Sequence, residues 1–200
     1  LGEVCGDRPA LRRAVGGMRL RDVPPTWVLE LGCGECRLVV PHARRDVRVV
    51  CCDLAPSVLE HGRKSVRGAG SGNVITVETR ELAGRFDFIC SLLVFQHIRP
   101  VEGYEIIRGL LRLLSPRGVA VLQLTLEPDG GGLRRLARMR HQCGVRRVLP
   151  HRMQMPAWMQ GNAYDERVVI RDIASAGASL IGRFATNDVG SVLVMEKKSR

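Results

Sequence analysis

The stretch that decides the fold covers residues 27–37 and reads W-V-L-E-L-G-C-G-E-C-R. A short apolar run containing Glu30 is followed at once by two glycines in the spacing Gly-x-Gly, Gly32 and Gly34. This pattern predicts a parallel strand that enters a tight turn at the start of a helix. Glycine has no Cβ, so the backbone can pass close to a ligand while the free N–H groups of the helix start point towards it.

A second apolar run, residues 47–52, ends in Asp53, which lies 23 positions beyond Glu30. In α/β nucleotide sites, a carboxylate at the end of the second strand binds the ribose hydroxyls. The two signals together indicate a cofactor that contains a nucleoside. A dinucleotide fingerprint would require glycine at position 37, where this sequence has Arg37, so the pattern argues against a dinucleotide.

Strand-like and helix-like segments alternate along the chain, which is typical of a parallel α/β sheet. The predicted strands are residues 27–31, 47–53, 74–78, 86–92, 119–126, 179–185 and 191–196. The predicted helices are residues 9–20, 35–43, 56–67, 101–114 and 165–176. No internal repeat or low-complexity linker interrupts this order, so one domain is expected over residues 1–200, with the leading helix within residues 1–25.

The first motif resembles that of class I S-adenosylmethionine-dependent methyltransferases, which reads acidic-x-Gly-x-Gly-x-Gly. Glu30, Gly32 and Gly34 match this pattern, and Cys36 stands in place of the third glycine. Cysteine is small, so the turn is expected to form. The resemblance therefore predicts a methyltransferase domain.

Later segments carry the same resemblance. Residues 86–91 (F-D-F-I-C-S) and 94–98 (V-F-Q-H-I) resemble the fourth motif of the family. Residues 114–119 resemble its L-x-P-G-G turn, with Arg117 in place of the first glycine. The resemblance implies a doubly wound, Rossmann-like sheet of seven strands in the order 3-2-1-4-5-7-6, with strand seven antiparallel.

The resemblance also implies that the chain binds S-adenosylmethionine. Gly32, Cys33 and Gly34 would line the methionine part of the cofactor with their backbone. Glu30 would reach the cationic amino end of the cofactor, directly or through water. No metal site is expected.

The remaining cofactor contacts are implied by the ends of the next strands. Asp53 would bind both ribose hydroxyls, and Leu54 would lie against the adenine. Glu78 and Thr79, at the end of strand three, align with the acidic residue of the family that meets the adenine amine. Ser91, at the end of strand four, would touch the methionyl group and face the acceptor.

His97 is the candidate general base, because it follows strand four near the position from which the methyl group would be presented. An imidazole can take a proton from a hydroxyl near neutral pH. The alternative is a histidine that packs at the start of the loop and bonds a carbonyl. Tyr104, His141 and His151 are weaker candidates and are expected at the surface or in a lid.

The cysteines allow two other readings. Cys33 and Cys36 form a C-x-x-C after a strand, as in redox sites, but the residues that flank such sites are missing. A zinc site from Cys33, Cys36, Cys51 and Cys52 would need a second pair spaced like C-x-x-C, whereas the adjacent Cys51 and Cys52 point to opposite faces of a sheet. We therefore expect buried, reduced thiols among the seven cysteines.

The segment 130–164 is the part least like a shared core. It contains seven arginines and no acidic residue. One interpretation is a basic lid over the acceptor site that attracts an anionic substrate. The other is a solvated helix followed by a hydrophobic plug.

Composition sets the remaining expectations. The net charge is +11 and only three of the 31 basic residues are lysine. This charge favours anionic partners, although arginine bias also follows from a GC-rich genome. No apolar run is long enough to span a membrane and no signal-peptide pattern occurs, so a cytoplasmic protein is expected. The first residue is Leu1, which suggests a truncated or processed N-terminus.

These observations predict an enzyme that transfers a methyl group from S-adenosylmethionine to a small-molecule or glycan acceptor, with oxygen favoured. An RNA methyltransferase is the second reading, supported by the charge. A catalytically inactive cofactor-binding or scaffold domain is the third, supported by the departures at Cys36, Thr79 and Arg117. The sequence leaves the oligomeric state open.

Overall fold

The computed structural model describes residues 27–36, 47–79, 82–127, 161–186 and 190–199. The predicted leading helix, most of the predicted helix 35–43 and most of the basic segment 130–164 lie outside these residues. Glu35 and Cys36 are described and form a turn rather than the first residues of a helix. The prediction of a helix from Glu35 is wrong there, because Cys36 has φ 58°, in the left-handed region that a right-handed helix excludes.

The described elements agree closely with the predicted ones. The strands are β1 (Trp27–Leu31), β2 (Arg48–Asp53), β3 (Val74–Glu78), β4 (Phe86–Ser91), β5 (Leu114–Leu124), β6 (Leu126–Glu127), β7 (Tyr164–Asp165), β8 (Ala178–Thr186) and β9 (Gly190–Lys197). The helices are α1 (Pro56–Gly68), α2 (Pro100–Leu113) and α3 (Glu166–Ser175), with a 3₁₀ turn at Phe95–His97. Proline stands at the first position of α1 and of α2, where its missing N–H costs no helical hydrogen bond.

Seven strands form one sheet in the order β3-β2-β1-β4-β5-β9-β8. β1 to β5 run parallel to one another, and β9 runs antiparallel to both β5 and β8. Counted within this sheet alone, the order is the predicted 3-2-1-4-5-7-6 with strand seven antiparallel. The predicted Rossmann-like α/β fold is therefore confirmed. β6 and β7 pair in a separate two-stranded sheet that the sequence did not indicate.

The central strands of the sheet are buried on both faces, as is usual for parallel strands, whereas the edge strands β3 and β8 carry exposed side chains. One face packs against α2 and α3. The fully buried side chains between this face and the helices include Leu29, Ile89, Leu122 and Leu193 from the sheet and Ile107 and Leu111 from α2. The other face carries α1, whose Leu59 and Val66 pack against Val49 and Cys51 of β2. The apolar side chains of β1 alternate between these faces, which fixes its register.

The entry into β5 differs from the prediction. Residues 115–118 were expected as a turn before the strand, but β5 already begins at Leu114. Its pairing with β4 shifts there, from Phe86 opposite Leu114 to Phe88 opposite Val119. The surplus residues form an irregularity at the start of the strand, and Arg117 has φ 64° within it.

Among the described helices, none has both the length and the apolar character needed to cross a membrane.

Candidate active site

A cavity of about 350 Å³ opens at the carboxyl ends of β1, β2, β3 and β4. Its lining residues are Leu31, Gly32, Asp53, Leu54, Thr79, Leu93, Val94, His97, Ile98 and Ile106. The strand order reverses between β1 and β4, and open α/β sheets bind ligands in the crevice at this point. The fold therefore brings the motif after β1 and the motif after β4 together at one cavity.

The turn after β1 passes so close to the loop after β4 that only glycine fits at its start. Gly32 has φ +72°, and a Cβ there would lie 2.2 Å from Cγ2 of Val94. The N–H of Gly32 donates to the carbonyl of Cys52 at 2.7 Å, which continues the pairing of β1 with β2 into the turn. Glycine at position 32 thus allows a close approach between the turn and the Val94 side chain at the cavity wall.

Asp53 connects the end of β2 to this turn. Its Oδ2 accepts from the N–H of Gly34 at 3.0 Å, and its Oδ1 accepts from the N–H of Ala55 at 3.1 Å. A carboxylate has about four lone-pair positions, so these two bonds leave acceptor capacity on the oxygens that line the cavity. Asp53 is therefore held rigidly and can still bind hydroxyl groups.

Glu30 lies behind the turn and is only 3% exposed. Its Oε2 is buried without a hydrogen-bond partner. Burial raises the pKa of this carboxyl to about 8, and the nearby charges of Cys36 and Asp53 add to the shift. Because a cation next to Glu30 would favour the ionised form, the residue is suited to a positively charged ligand group.

The residues after β2 and β3 complete one side of the cavity. Leu54 is 71% exposed and lines the cavity with its apolar side chain. Thr79 also lines it, and its Oγ1 accepts from the thiol of Cys52 at 3.3 Å. Glu78 is paired with Asp53 in the register of β2 and β3 but does not line the cavity.

The loop after β4 is held from β5. Gln123 accepts from the N–H of Leu93 through Oε1 at 3.2 Å, and Leu93 has φ 62°. The Nε2 of Gln123 is buried without a partner, and so is the Oγ of Ser91. Ser91 is fully buried at the end of β4 and does not line the cavity.

His97 ends the short 3₁₀ turn, is exposed and lines the cavity. Its Nε2 lies 3.1 Å from the amide Nε2 of Gln96. The hydroxyl of Tyr164 lies 2.9 Å from the carbonyl oxygens of both Phe95 and Ile98, which flank this turn. The backbone that carries His97 is therefore fixed from β7, while its ring remains accessible.

Tyr164 is a residue that the sequence analysis did not single out. It is fully buried and packs edge-to-face on Phe95 and on Tyr104, with centroid distances of 5.9 and 5.5 Å. Gly103 leaves it room, since a Cβ there would lie 2.2 Å from its hydroxyl. Tyr104 was expected at the surface or in a lid, but it is half-buried and its hydroxyl accepts from the N–H of Asp165 at 2.8 Å. Its position is explained by this packing.

Three thiols meet on the α1 side of the turn. The Sγ atoms of Cys33, Cys36 and Cys51 all lie within 4.8 Å of one another. The thiol hydrogen bonds of Cys33 and Cys51 lower the pKa of Cys36 to about 4, and those bonds raise the pKa of Cys33 and Cys51 in turn. Cys52 packs on the other face of the sheet, as predicted.

The structure thus brings half of the predicted site residues to the cavity surface: Gly32, Asp53, Leu54, Thr79 and His97. The others lie beside it in the strand ends and the turn: Glu30, Cys33, Gly34, Glu78 and Ser91. The lining residues that the sequence analysis missed are Leu31, Leu93, Val94, Ile98 and Ile106. Val94 and Ile98 belong to the quoted V-F-Q-H-I segment, so the resemblance of this segment to the family motif could have indicated them. Ile106 lies in α2, and the helical periodicity of its sequence gives no indication that it lines a cavity.

Known proteins resemble this chain in sequence. Residues 29–120 match the family model described as a methyltransferase domain. A ubiquinone biosynthesis O-methyltransferase from Methylocella silvestris is 31% identical over 107 residues, which cover 50% of this chain and 41% of that protein.

Solved structures agree in fold. Magnesium protoporphyrin IX methyltransferase from Synechocystis PCC 6803, determined with bound SAH, matches with a TM-score of 0.63 at 20% identity, covering 94% of this chain and 80% of that one. An O-methyltransferase family protein from Burkholderia thailandensis matches with a TM-score of 0.63 at 16% identity, covering 88% of this chain and 51% of that one.

These findings confirm the resemblance to class I S-adenosylmethionine-dependent methyltransferases. Residues 29–120 are similar to a methyltransferase domain, and the described residues have the fold of solved methyltransferases. It spans less than half the length of the curated relative that it matches.

Proposed function

We propose that this chain binds S-adenosylmethionine and transfers its methyl group to an oxygen atom of a small-molecule or glycan acceptor. The observation that carries the proposal is the hydrogen bond between Asp53 and the N–H of Gly34, at the rim of the cavity where the strand order reverses. It joins the two parts of the sequence that the resemblance assigns to the cofactor.

The residues present suit this cofactor. Asp53 has acceptor capacity for two ribose hydroxyls, and Leu54 offers an exposed apolar surface for the adenine. The unpaired, buried oxygen of Glu30 suits the cationic amino end, reached directly or through water. Small-molecule sites commonly have volumes of about 300–1,000 Å³. The cavity of about 350 Å³ falls in this range.

When bound, S-adenosylmethionine supplies a methyl group on a positively charged sulfur, which departs as a neutral thioether. The contribution of the protein is then mainly proximity and orientation. The turn at Gly32 and the carboxylate of Asp53 hold one reactant in place. Leu93 and Ile98 add apolar surface to the lining of the cavity.

His97 is the residue we propose to take the proton from the acceptor hydroxyl. It lines the same cavity as Asp53, and the residue is exposed. The Gln96 amide lies at hydrogen-bond distance from its Nε2. An acceptor hydroxyl would replace this contact before Nε2 takes the proton.

The class of acceptor rests on two observations. The curated relative is named an O-methyltransferase, which supports oxygen as the acceptor atom. The net charge of +11 supports an acceptor with anionic groups.

The described cysteines are free thiols, which supports the proposed cytoplasmic location.

Calorimetry with S-adenosylmethionine tests the cofactor site. Asp53→Ala is expected to weaken binding by about 1.5–3 kcal/mol, the range for hydrogen bonds to a charged group. The matched control is Asp87→Asn, since Asp87 accepts from the N–H of Trp27 at the opposite edge of the sheet and lies away from the cavity. An unchanged dissociation constant in Asp53→Ala would contradict the assignment to the ribose.

A labelled methyl donor tests the acceptor. Hydroxylated small molecules, glycans with and without anionic groups, and RNA are offered in parallel to the wild-type protein. Transfer to an oxygen of a small molecule or glycan supports the proposal. Salt-sensitive transfer to RNA alone would favour the RNA methyltransferase reading, and tight cofactor binding without transfer to any acceptor would favour the inactive domain.

A further inference from the structure

Cys33, Cys36 and Cys51 form a cluster that the proposed methyl transfer does not use. Their side chains are buried, and their Sγ atoms lie within 4.8 Å of one another. They come from two places in the chain, the turn after β1 and the middle of β2. The pairing of β1 with β2 therefore adds a third thiol, that of Cys51, to the two thiols of the C-x-x-C sequence.

The spacing of the sulfur atoms suits a metal ion. The Sγ atoms of Cys33 and Cys36 are 3.8 Å apart. Zinc binds thiolate sulfur at about 2.3 Å in tetrahedral geometry, which places two ligand sulfurs about 3.8 Å apart. A disulfide would require a separation of about 2.05 Å and would leave the third thiol unused. The geometry of three converging thiols fits coordination better than oxidation.

We propose that Cys33, Cys36 and Cys51 form a binding site for a thiophilic divalent metal ion of the zinc class, directly behind the turn after β1. Three neutral thiols bind the dication by forming three metal–sulfur bonds and releasing three protons, and one fewer proton for each thiol that is already ionised. Three protein ligands leave one coordination position for a further ligand.

Cys52 shows that this arrangement differs from ordinary burial of cysteine in a core. It neighbours Cys51 on β2 and is equally buried, but it faces the opposite side of the sheet. Its thiol donates to Thr79. Cysteine often serves as a small apolar side chain, and Cys52 is such a residue. The same strand thus supplies both a candidate ligand and its matched control.

The site would be coupled to the shape of the cofactor turn. Cys33 and Cys36 flank Gly34, whose N–H donates to Asp53. On the other side, α1 closes over the cluster, since a Cβ on Gly62 would lie 2.8 Å from the sulfur of Cys36. A metal ion that joins Cys33 and Cys36 to Cys51 would lock the turn onto β2 and stabilise the folded protein.

Titration with Cd²⁺ tests the site directly, because cadmium substitutes for zinc and its thiolate complexes absorb in the ultraviolet. The full chain is titrated in a phosphine reductant, so that disulfides do not form. We expect a saturable charge-transfer band that reaches its plateau at one equivalent per chain. Absence of such a band in the wild-type protein would overturn the proposal without any variant.

Variants locate the binding atoms. Cys36→Ser and Cys51→Ser are each expected to lower the Cd²⁺ affinity by at least about 10–100-fold, the cost that even an outer-shell change at a metal site can reach. Cys52→Ser is expected to retain the wild-type affinity. Equal loss in Cys52→Ser, or full retention in both Cys36→Ser and Cys51→Ser, would assign the band to other cysteines and overturn the proposal.

Thermal unfolding with Zn²⁺ provides a second readout. A ligand that binds only the folded state raises the melting temperature by an amount that grows with the logarithm of its concentration divided by its dissociation constant. We expect Zn²⁺ to raise the melting temperature of the wild type and of Cys52→Ser, and to leave that of Cys36→Ser unchanged. The same rise in Cys36→Ser would contradict the proposed site, and circular dichroism beforehand establishes that each variant is folded.

Discussion

The two rims of the cavity are held by different kinds of interaction. The turn rim, formed by Gly32, Gly34 and Asp53, is fixed by local bonds between the ends of two adjacent strands: a backbone bond from Gly32 and a bond from the Gly34 N–H to the Asp53 carboxylate. The loop rim, formed by residues 93–98, is fixed by side chains from distant parts of the chain, namely Gln123 on β5 and Tyr164 on β7.

This difference relates to what each rim is proposed to do. The cofactor is the same in every reaction cycle, so a few residues that are close in sequence, namely two glycines and one carboxylate, are enough to form its site. The loop rim is proposed to face the acceptor. Its conformation depends on the distant side chains that bind its backbone. Changes at the turn rim should therefore act on cofactor binding, and changes at the loop rim on turnover.

The largest effect is expected from His97→Ala. If His97 is the general base, turnover should fall by about 10²–10⁴-fold, while the dissociation constant for S-adenosylmethionine stays within a few-fold. Single-turnover kinetics and calorimetry on the same preparation measure the two quantities. This variant tests whether the loop rim serves chemistry without serving cofactor binding.

His97→Gln is the control for that prediction. Glutamine can still contact Gln96 but cannot take up a proton at neutral pH. Turnover per folded molecule should remain as low as in His97→Ala. Turnover near that of the wild type in either variant would remove His97 from the mechanism and leave orientation as the source of catalysis.

The second prediction concerns the turn rim. Gly32→Ala should destabilise the protein by about 2–4 kcal/mol, because it combines a left-handed φ with a close contact to Val94. Gly34→Ala is the matched control, since Gly34 has φ +55° but no atom within 4 Å of the added Cβ. It should cost only about 1–2 kcal/mol.

Denaturant unfolding of both variants measures these free energies. Equal costs at Gly32 and Gly34 would show that backbone conformation alone, rather than the approach of the loop rim, makes Gly32 necessary. We also expect Gly32→Ala to weaken S-adenosylmethionine binding more than Gly34→Ala does.

The third prediction tests the support of the loop rim. Tyr164→Phe removes the hydroxyl that reaches the carbonyls of Phe95 and Ile98 and keeps the aromatic packing. The expected loss is about 1–2 kcal/mol of unfolding free energy. Turnover should fall with little change in cofactor affinity. Weaker cofactor binding together with unchanged turnover would contradict the separation of the two rims.

The smallest effect is expected from Glu30→Gln and appears as a change with pH. Burial, with the charges of Cys36 and Asp53, raises the pKa of Glu30 from 4.5 to about 8, so the folded state holds the proton more tightly than the unfolded chain. This contribution to stability is present in full below pH 4.5 and is lost as pH rises through about 8. Between pH 6 and pH 7 the wild type should lose about 1 kcal/mol from this group.

Unfolding of wild type and Glu30→Gln at both pH values, in the presence of a chelator, measures this difference. The variant should show a flatter pH dependence and greater stability than the wild type above pH 8. Burial and the charge of Glu30 raise the pKa of Cys90 on β4, so Cys90→Ser is included as a further variant. Identical slopes in wild type and Glu30→Gln would show that Glu30 is not buried in its neutral form.

Much of the fold could be predicted because its signals are local. The apolar runs that become β1 and β3 and the proline at the start of α1 each act within a few residues, and the structure follows them. The start of β5 could not be placed in the same way. It depends on pairing with β4, where Phe86 meets Leu114 and the register then shifts.

Two departures from the family motif show a further limit. Cys36 and Arg117 stand where the family has glycine, and both have positive φ, 58° and 64°. The sequence alone indicated that a glycine was missing but not that the backbone keeps the conformation glycine favours. Cys36 does so while fully buried among thiols, and Arg117 does so at the exposed start of β5.

The sequence by itself determined the class of fold and the turn rim, because strand, glycines and carboxylate are encoded in short segments with fixed geometry. Tertiary structure alone decided the loop rim and the thiol cluster. Tyr164 lies 67 positions beyond His97, and Cys51 lies 15 positions beyond Cys36. Such neighbours are set by the order and register of the strands, which depend on packing across the whole sheet rather than on any local pattern.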